Sequence, residues 1–153
     1  MKGKGCGWHN ESQRHRMSAY GIKTSQLTTK TSKHPYVKRL VEVAIESTGV
    51  DDSKLKFSIS DKHDHAYYVD SKVYLPTDLS FYYFLENMMH EMIHHDLIDD
   101  EWIMDKNMAE VESEVIKRTG IAMENAKQYL KPEEVEDIEE TQREIEELKR
   151  RFR

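Results

Sequence analysis

The sequence predicts an α+β domain built from helices and a small, mostly antiparallel sheet of three strands. Apolar residues follow the helical repeat over residues 35–48 and 78–98, whereas residues 54–76 alternate with a period of two. The second of these helices contains His90-Glu91-Met92-Ile93-His94, which is the pattern HExxH. We therefore expect an N-terminal helix, the sheet, the HExxH helix, a glutamate-bearing helix and a charged C-terminal helix, in that order.

The chain of 153 residues is long enough for one domain with extensions, and its charge divides it into three parts. The formal net charge is −6, but residues 1–33 hold seven basic residues and one acidic residue. The rest of the chain holds 16 basic and 28 acidic residues. The expected parts are a basic, flexible arm at 1–33, a compact domain at 34–130 and a charged helix at 131–153.

Residues 1–33 are poor in aliphatic side chains and therefore bury too little surface to fold alone. Two interpretations of this arm stay open: a solvated tail, or an arm that contacts nucleic acid weakly, with Trp8 and Tyr20 for base stacking. Cys6 is the single cysteine of the chain, which excludes a disulfide framework and a cysteine-rich zinc site. No secretory signal or membrane-spanning run is visible, so we expect a cytoplasmic protein without a membrane partner.

Local signals delimit the first helix and the strands. Pro35 suits the first turn of a helix, and Gly49 suits a helix end. Residues 66–69 and 72–75 are rich in Tyr and Val, and Asp70-Ser71 between them predicts a tight turn.

The remaining stretches complete the expected order. A glutamate-bearing helix is predicted from residue 104 to 119, where Gly120 ends it, followed by a short amphipathic piece at 121–130. The charged helix from Pro132 onward has a sparse apolar stripe. Packing on the domain, pairing with another copy and protruding into solvent all stay open for it, and so does the oligomeric state.

The HExxH pattern carries the chemical hypothesis. On a helix, His90 and His94 lie one turn apart on the same face and can offer two imidazoles to one ion. Zinc accepts imidazole nitrogens at about 2.0–2.1 Å in a tetrahedral site. Glu91 then lies beside the ion, where its carboxylate can accept a proton from an activated water. His63 and His65 are further candidate ligands, but a polar loop between strands is the better interpretation.

A catalytic zinc site usually takes a third protein ligand. No histidine follows His95, so a downstream ligand must be a carboxylate, and Glu110, Glu112 and Glu114 are the candidates. At about 100° per residue, Glu110 and Glu114 fall on the polar side of their helix. Glu112 falls in the middle of an arc of five apolar side chains: Met108, Ala109, Val111, Val115 and Ile116. A carboxylate on a buried face is costly without a cation, so we expect Glu112 to be the ligand, with Glu114 and Glu110 as alternatives.

Three stretches carry a resemblance to known metallopeptidases: Val73-Tyr74-Leu75, the HExxH helix and Glu110-Val111-Glu112-Ser113. HExxH followed by a glutamate on a later helix resembles the gluzincin branch of the zincins, nearest to the ImmA/IrrE family and the small minigluzincins. The similarity covers about residues 54–119. Ile93 stands where the ImmA/IrrE family often has glycine, and Ser113 where it usually has alanine. The resemblance implies a minimal zincin-like core and a zinc-dependent endopeptidase acting on proteins or peptides.

The resemblance also implies roles for individual residues. His90, His94 and the downstream glutamate would hold Zn²⁺, and Glu91 would act as the general base. Glu114 follows His94 by twenty residues, a separation similar to that in thermolysin-type enzymes. A substrate peptide would lie as an extra strand along an edge at residues 73–75. Four side chains are unranked candidates for an additional oxyanion donor: Tyr67, Tyr68, Tyr74 and His95.

A different class of function fits the same residues. In this alternative the protein is a non-catalytic module that binds zinc, another protein or nucleic acid, and the basic arm and the acidic helix mediate assembly. Metal content together with the Glu91→Gln substitution discriminates between the two classes, because a general base is needed for catalysis and not for metal retention.

Overall fold

The computed structural model describes residues 35–152 except residues 61 and 77. Its elements are α1 (Pro35–Thr48), β1 (Lys56–Ile59), β2 (Tyr67–Val69), β3 (Lys72–Leu75), α2 (Phe81–Leu97), α3 (Met108–Ala126) and α4 (Pro132–Arg151). Two short 3-10 helices, Glu101–Asp105 and Lys127–Tyr129, lie before and after α3. The predicted α+β class is confirmed. The arm at residues 1–33, with Trp8 and Tyr20, lies outside the described residues.

The sheet is mixed rather than mostly antiparallel. Its order is β1-β3-β2, with β2 antiparallel to β3 and β1 parallel to β3. The turn between β2 and β3 is local and was readable: Asp70 and Ser71 have φ values of 51° and 63°, as a two-residue hairpin turn requires. The direction of β1 was not readable, because alternation gives a strand its faces and not its partner.

This strand order overturns the expected position of a substrate strand. Residues 73–75 belong to β3, which is paired on both sides, so no peptide can be added along it. Among the described strands, the edges of the sheet are β1 and β2. The prediction failed because a three-stranded order depends on the long connection between β1 and β3, which carries no local signal.

Helix α2 is the centre of the core. It contacts α1, α3, α4, β2 and β3. Six of its large side chains are fully buried in the main core: Phe81, Phe84, Leu85, Met88, Met89 and Met92. Burial of each such side chain stabilises the fold by about 1.5–3 kcal/mol, so the helix that carries the HExxH pattern is held on most of its circumference.

Helix α3 is longer than predicted, because Gly120 does not end it. The helix begins after Asn107, which caps it, and runs on to Ala126. A glycine in a helix interior costs about 1 kcal/mol relative to alanine. Burial of Ala122, Met123 and Ala126 beyond the glycine offsets that cost.

The first half of α4 packs on the domain. Ile138 is fully buried, and the buried side chain of Glu134 accepts hydrogen bonds from Tyr36 (2.5 Å) and from Arg39 of α1. The other oxygen of Glu134 accepts the backbone N–H of Lys131 at 2.9 Å, which closes the start of α4. One buried carboxylate therefore joins α1 to α4, the first and last helices of the described residues. Of the three placements that the sequence left open for the charged helix, the structure shows packing on the domain.

Replacing Glu134 by alanine is expected to destabilise the protein by about 2–4 kcal/mol, because it removes the buried carboxylate that pairs with Arg39 and accepts the backbone N–H of Lys131. The exposed Glu136 on the same helix is the matched control, and Glu136→Ala should change stability by less than about 0.5 kcal/mol. Urea unfolding followed by circular dichroism measures both. Equal urea midpoints for Glu134→Ala and Glu136→Ala would show that the buried contacts of Glu134 do not stabilise the fold.

A second prediction concerns Glu86, on α2. Burial raises the pKa of its carboxyl, and no basic group within residues 35–152 contributes to that pKa. The folded state therefore holds the proton to higher pH than the unfolded state, so ionisation of Glu86 lowers stability as the pH rises above about 4.5. Glu86→Gln should raise the melting temperature at pH 7.5 and leave it nearly unchanged at pH 4. A lower melting temperature at pH 7.5 would mean that the carboxylate has a stabilising partner.

Candidate metal centre

Three side chains from two helices meet at one point beside α2. The Nε2 atom of His90 lies 3.0 Å from one carboxylate oxygen of Glu112, and Nε2 of His94 lies 3.1 Å from the other. The two imidazole rings are 5.1 Å apart between centroids. One ligand atom from each of the three residues lies within 4.8 Å of the others. The structure thus brings together His90, His94 and Glu112 from α2 and α3.

A small apolar cluster, separate from the main core, holds the two helices at this separation. Ile93 and Leu97 of α2 and Val115 of α3 are buried against one another. Three partly buried side chains pack on them: Trp102, Ile103 and Val111. Because Val111 and Val115 flank Glu112 in the sequence, their packing places the Glu112 carboxylate opposite the two imidazoles.

The two alternative carboxylates have local partners instead. The Oε1 atom of Glu110 accepts the backbone N–H of Asn107 at 2.9 Å, and the Asn107 side chain accepts the Glu110 N–H at 2.8 Å. Glu114 accepts a hydrogen bond from Nε of Arg118 at 2.8 Å, and this contact lowers the pKa of Glu114. Neither belongs to the group formed by the two histidines and Glu112.

The reason given for Glu112 from the sequence was partly wrong. The apolar arc around it is not uniformly buried: Val115 is inaccessible, but Met108 is 87% exposed and Ile116 is 60% exposed. The Glu112 side chain is itself 49% exposed. A helical wheel shows direction around an axis and not position along it: Met108 lies in the first turn, before the buried part of α3 begins at Val115. Ile116 lies within the buried part, about 100° of rotation from Val115 and at the edge of the packed face.

The electrostatics suit a metal ligand and a proton acceptor. Burial lowers the pKa of His90, although the charge of Glu112 acts in the opposite direction. The lowered pKa favours the neutral imidazole, which is the form that binds metals. Burial, followed by the negative charge of Glu112, raises the pKa of the Glu91 carboxyl to about 7. Glu91 thus differs from an exposed glutamate, whose pKa lies near 4.3.

The donor set fits zinc. Two imidazole nitrogens and one carboxylate oxygen are a known catalytic zinc set, which leaves a fourth position for water or substrate. One ligand atom from each of the three residues lies within 4.8 Å of the others, which is close enough for the three to share one ion. Other divalent transition metals also accept imidazole ligands, so these three side chains define a site for a divalent transition-metal ion, of which zinc is one.

The candidate oxyanion donors have other contacts. The Tyr68 hydroxyl lies 2.7 Å from Nδ1 of His95, a contact that ties β2 to α2. Tyr67 stacks on Tyr74 with ring centroids 4.4 Å apart, on the other side of the sheet from Tyr68. The Tyr68 hydroxyl also accepts the backbone N–H of Ser71 at 3.2 Å, so the geometry does not single out one of the four as a donor.

The two loop histidines do not join the metal group. Nε2 of His63 lies 3.0 Å from the Ser58 hydroxyl, and Nδ1 of His65 lies 2.7 Å from Asp64.

Comparison with protein-family models, curated proteins and solved structures finds no match to this chain. Within the described residues, none of the helices combines the length and apolar character needed to cross a membrane. The interpretation of the site therefore depends on its own geometry and chemistry.

Substituting Glu112 is expected to release the metal. Purified protein loaded with zinc and then dialysed should retain about one zinc per chain, whereas His94→Ala and Glu112→Gln should lose affinity by more than the roughly 10–100-fold typical of an outer-sphere change. Glu114→Gln, two residues away on the same helix, is the matched control and should retain zinc. Elemental analysis measures all four proteins. Retention by Glu112→Gln with loss from Glu114→Gln would reverse the assignment.

Proposed function

We propose that the protein is a zinc-dependent peptidase of the gluzincin type that cleaves internal peptide bonds. The observation that carries the proposal is the convergence of His90, His94 and Glu112, with Glu91 adjacent on the same helix. A structural role alone explains three polar groups in contact. It does not explain why the histidines fall in an HExxH pattern whose glutamate has a pKa near neutrality.

In this mechanism, Glu91 is the general base. Its carboxylate accepts a proton from the attacking water and then delivers it to the leaving amine. Zinc bound by His90, His94 and Glu112 would supply Lewis acidity, which activates water and polarises a carbonyl. A proton acceptor works best when its pKa is close to the working pH, and the burial of Glu91 moves its pKa in that direction.

We further propose that the substrate lies along β2 rather than β3. Among the described strands, β2 is the edge strand that contacts α2. An extended peptide can hydrogen-bond to such an edge and present one of its carbonyls to a neighbouring helix. The contact between the Tyr68 hydroxyl of β2 and Nδ1 of His95 on α2, at 2.7 Å, supports the arrangement, because it holds this edge against the helix that carries Glu91.

The Glu91→Gln substitution tests the mechanism. Glutamine has nearly the same shape but cannot accept the proton, so we expect zinc retention and a decrease in kcat/KM of about 10²–10⁴-fold. Cleavage of a proteome-derived peptide library by zinc-loaded protein, read by mass spectrometry, supplies both substrates and rates. Glu146→Gln, an exposed position on α4, is the control and should be fully active.

Two results would oppose the proposal. Unchanged cleavage by Glu91→Gln would exclude Glu91 as the base. Zinc retention without cleavage of any library peptide by the wild-type protein would favour the alternative function, a non-catalytic zinc-binding module.

A further inference from the structure

Two large apolar side chains flank Glu112 on the surface of α3. Met108 precedes Glu112 by four residues and Ile116 follows it by four, so all three lie along one stripe of the helix. Met108 is 87% exposed and Ile116 is 60% exposed. We call Met108, Glu112 and Ile116 the α3 stripe.

Burial in the core does not explain the α3 stripe. The buried residues of α3 are Val115, Thr119, Ala122, Met123 and Ala126, and neither Met108 nor Ile116 is among them. Met104, in the preceding 3-10 helix, is also exposed, at 83%. Apolar side chains grouped on a surface generally mark a binding site, whereas single ones do not.

The position of Glu112 indicates what binds there. Both of its carboxylate oxygens face the imidazoles of His90 and His94, so the stripe is continuous with the candidate metal centre. One helical turn separates each apolar residue from Glu112, or about 6 Å. A peptide carbonyl held at the metal centre would therefore lie within about one helical turn of both apolar side chains.

We propose that Met108 and Ile116 form an apolar substrate-binding surface that selects peptides with a large apolar side chain, such as Leu or Phe, next to the cleaved bond. This inference rests on the proposed peptidase function and specifies its substrate class. Methionine has an unbranched, adaptable side chain, which suits a surface that accepts more than one apolar shape. The charge of Glu112 is directed at the imidazoles, which leaves the two flanking positions as the apolar contacts.

The chain offers a closely matched control for this proposal. Ile116 and Ile121 are the same residue type on the same helix, and they are 60% and 55% exposed. Five residues correspond to about 500° of rotation, so Ile121 points about 140° away from Ile116. Serine at either position removes a similar exposed apolar area. Only the Ile116 variant alters the surface beside the metal centre.

The experiment compares Ile116→Ser and Ile121→Ser on two zinc-dependent substrates that differ only in Leu or Gly next to the cleaved bond, both drawn from the peptides that wild type cleaves. Ile116→Ser should lower kcat/KM for the Leu peptide about tenfold or more and change that for the Gly peptide less than threefold. Ile121→Ser should match wild type on both. Met108→Ser should resemble Ile116→Ser. Thermal unfolding of each variant verifies that the fold is retained.

The outcomes separate this inference from the proposed function. Equal rates for the two isoleucine variants, or an equal loss on both peptides, would overturn the substrate surface while leaving the peptidase intact. If wild type cleaves nothing, fluorescence anisotropy of a labelled synthetic peptide with one central Leu decides the question. Binding that Ile116→Ser weakens supports an apolar peptide site without catalysis, and absence of binding excludes both the substrate surface and the peptidase. A dimer or vesicle-bound form that is lost only in Ile116→Ser would assign the stripe to a second copy or a lipid surface and overturn the proposal.

Discussion

The packing of α2 against α3 is the constraint on which the site depends. The bridge from Glu112 to His90 and His94 lies at this contact, but it does not hold the two helices together. Its carboxylate is half-exposed, and an ion pair in that environment contributes at most about 1 kcal/mol. The packing of Ile93, Leu97 and Val115 supplies the stabilisation. Apolar contacts thus determine the separation of α2 and α3, and the polar groups are free to serve a ligand. A site supported in this way is organised before its ligand binds.

The same charges explain why a divalent cation suits the position. The cluster contains one carboxylate between two imidazoles, and burial lowers the pKa of His90, which favours its neutral form. Burial, and after it the negative charge of Glu112, raises the pKa of Glu91. A bound cation would offset the negative charge of Glu112 through its own field, which is the largest local term in such a site. A cation bound there would therefore also reduce the electrostatic repulsion between the carboxylates of Glu91 and Glu112.

The sequence predicted the features that depend on short-range chemistry. Helices α1 and α2, the turn at Asp70 and Ser71, and the proximity of Glu112 to the HExxH histidines follow from periodicity, turn propensity and ligand chemistry. The failures share a different origin. The parallel pairing of β1 with β3 depends on a long connection, and the continuation of α3 through Gly120 depends on burial further along the helix. Each was decided by tertiary contacts that a local pattern does not contain.

The offset of one residue between His90 and Glu91 turns two adjacent side chains towards different parts of the domain. About 100° of rotation separates them, so His90 and His94 lie on one stripe of α2 while Glu91 and His95 lie on the next. The first stripe contacts Glu112 of α3, and the second meets β2, where His95 contacts Tyr68. A peptide paired along the β2 edge would lie beside the stripe of Glu91 and His95, with the metal ligands next to it on the side of α3. The β2 edge would then bind its backbone and the α3 stripe its side chains, so the two proposals assign complementary parts of one substrate to the two elements that flank the HExxH helix.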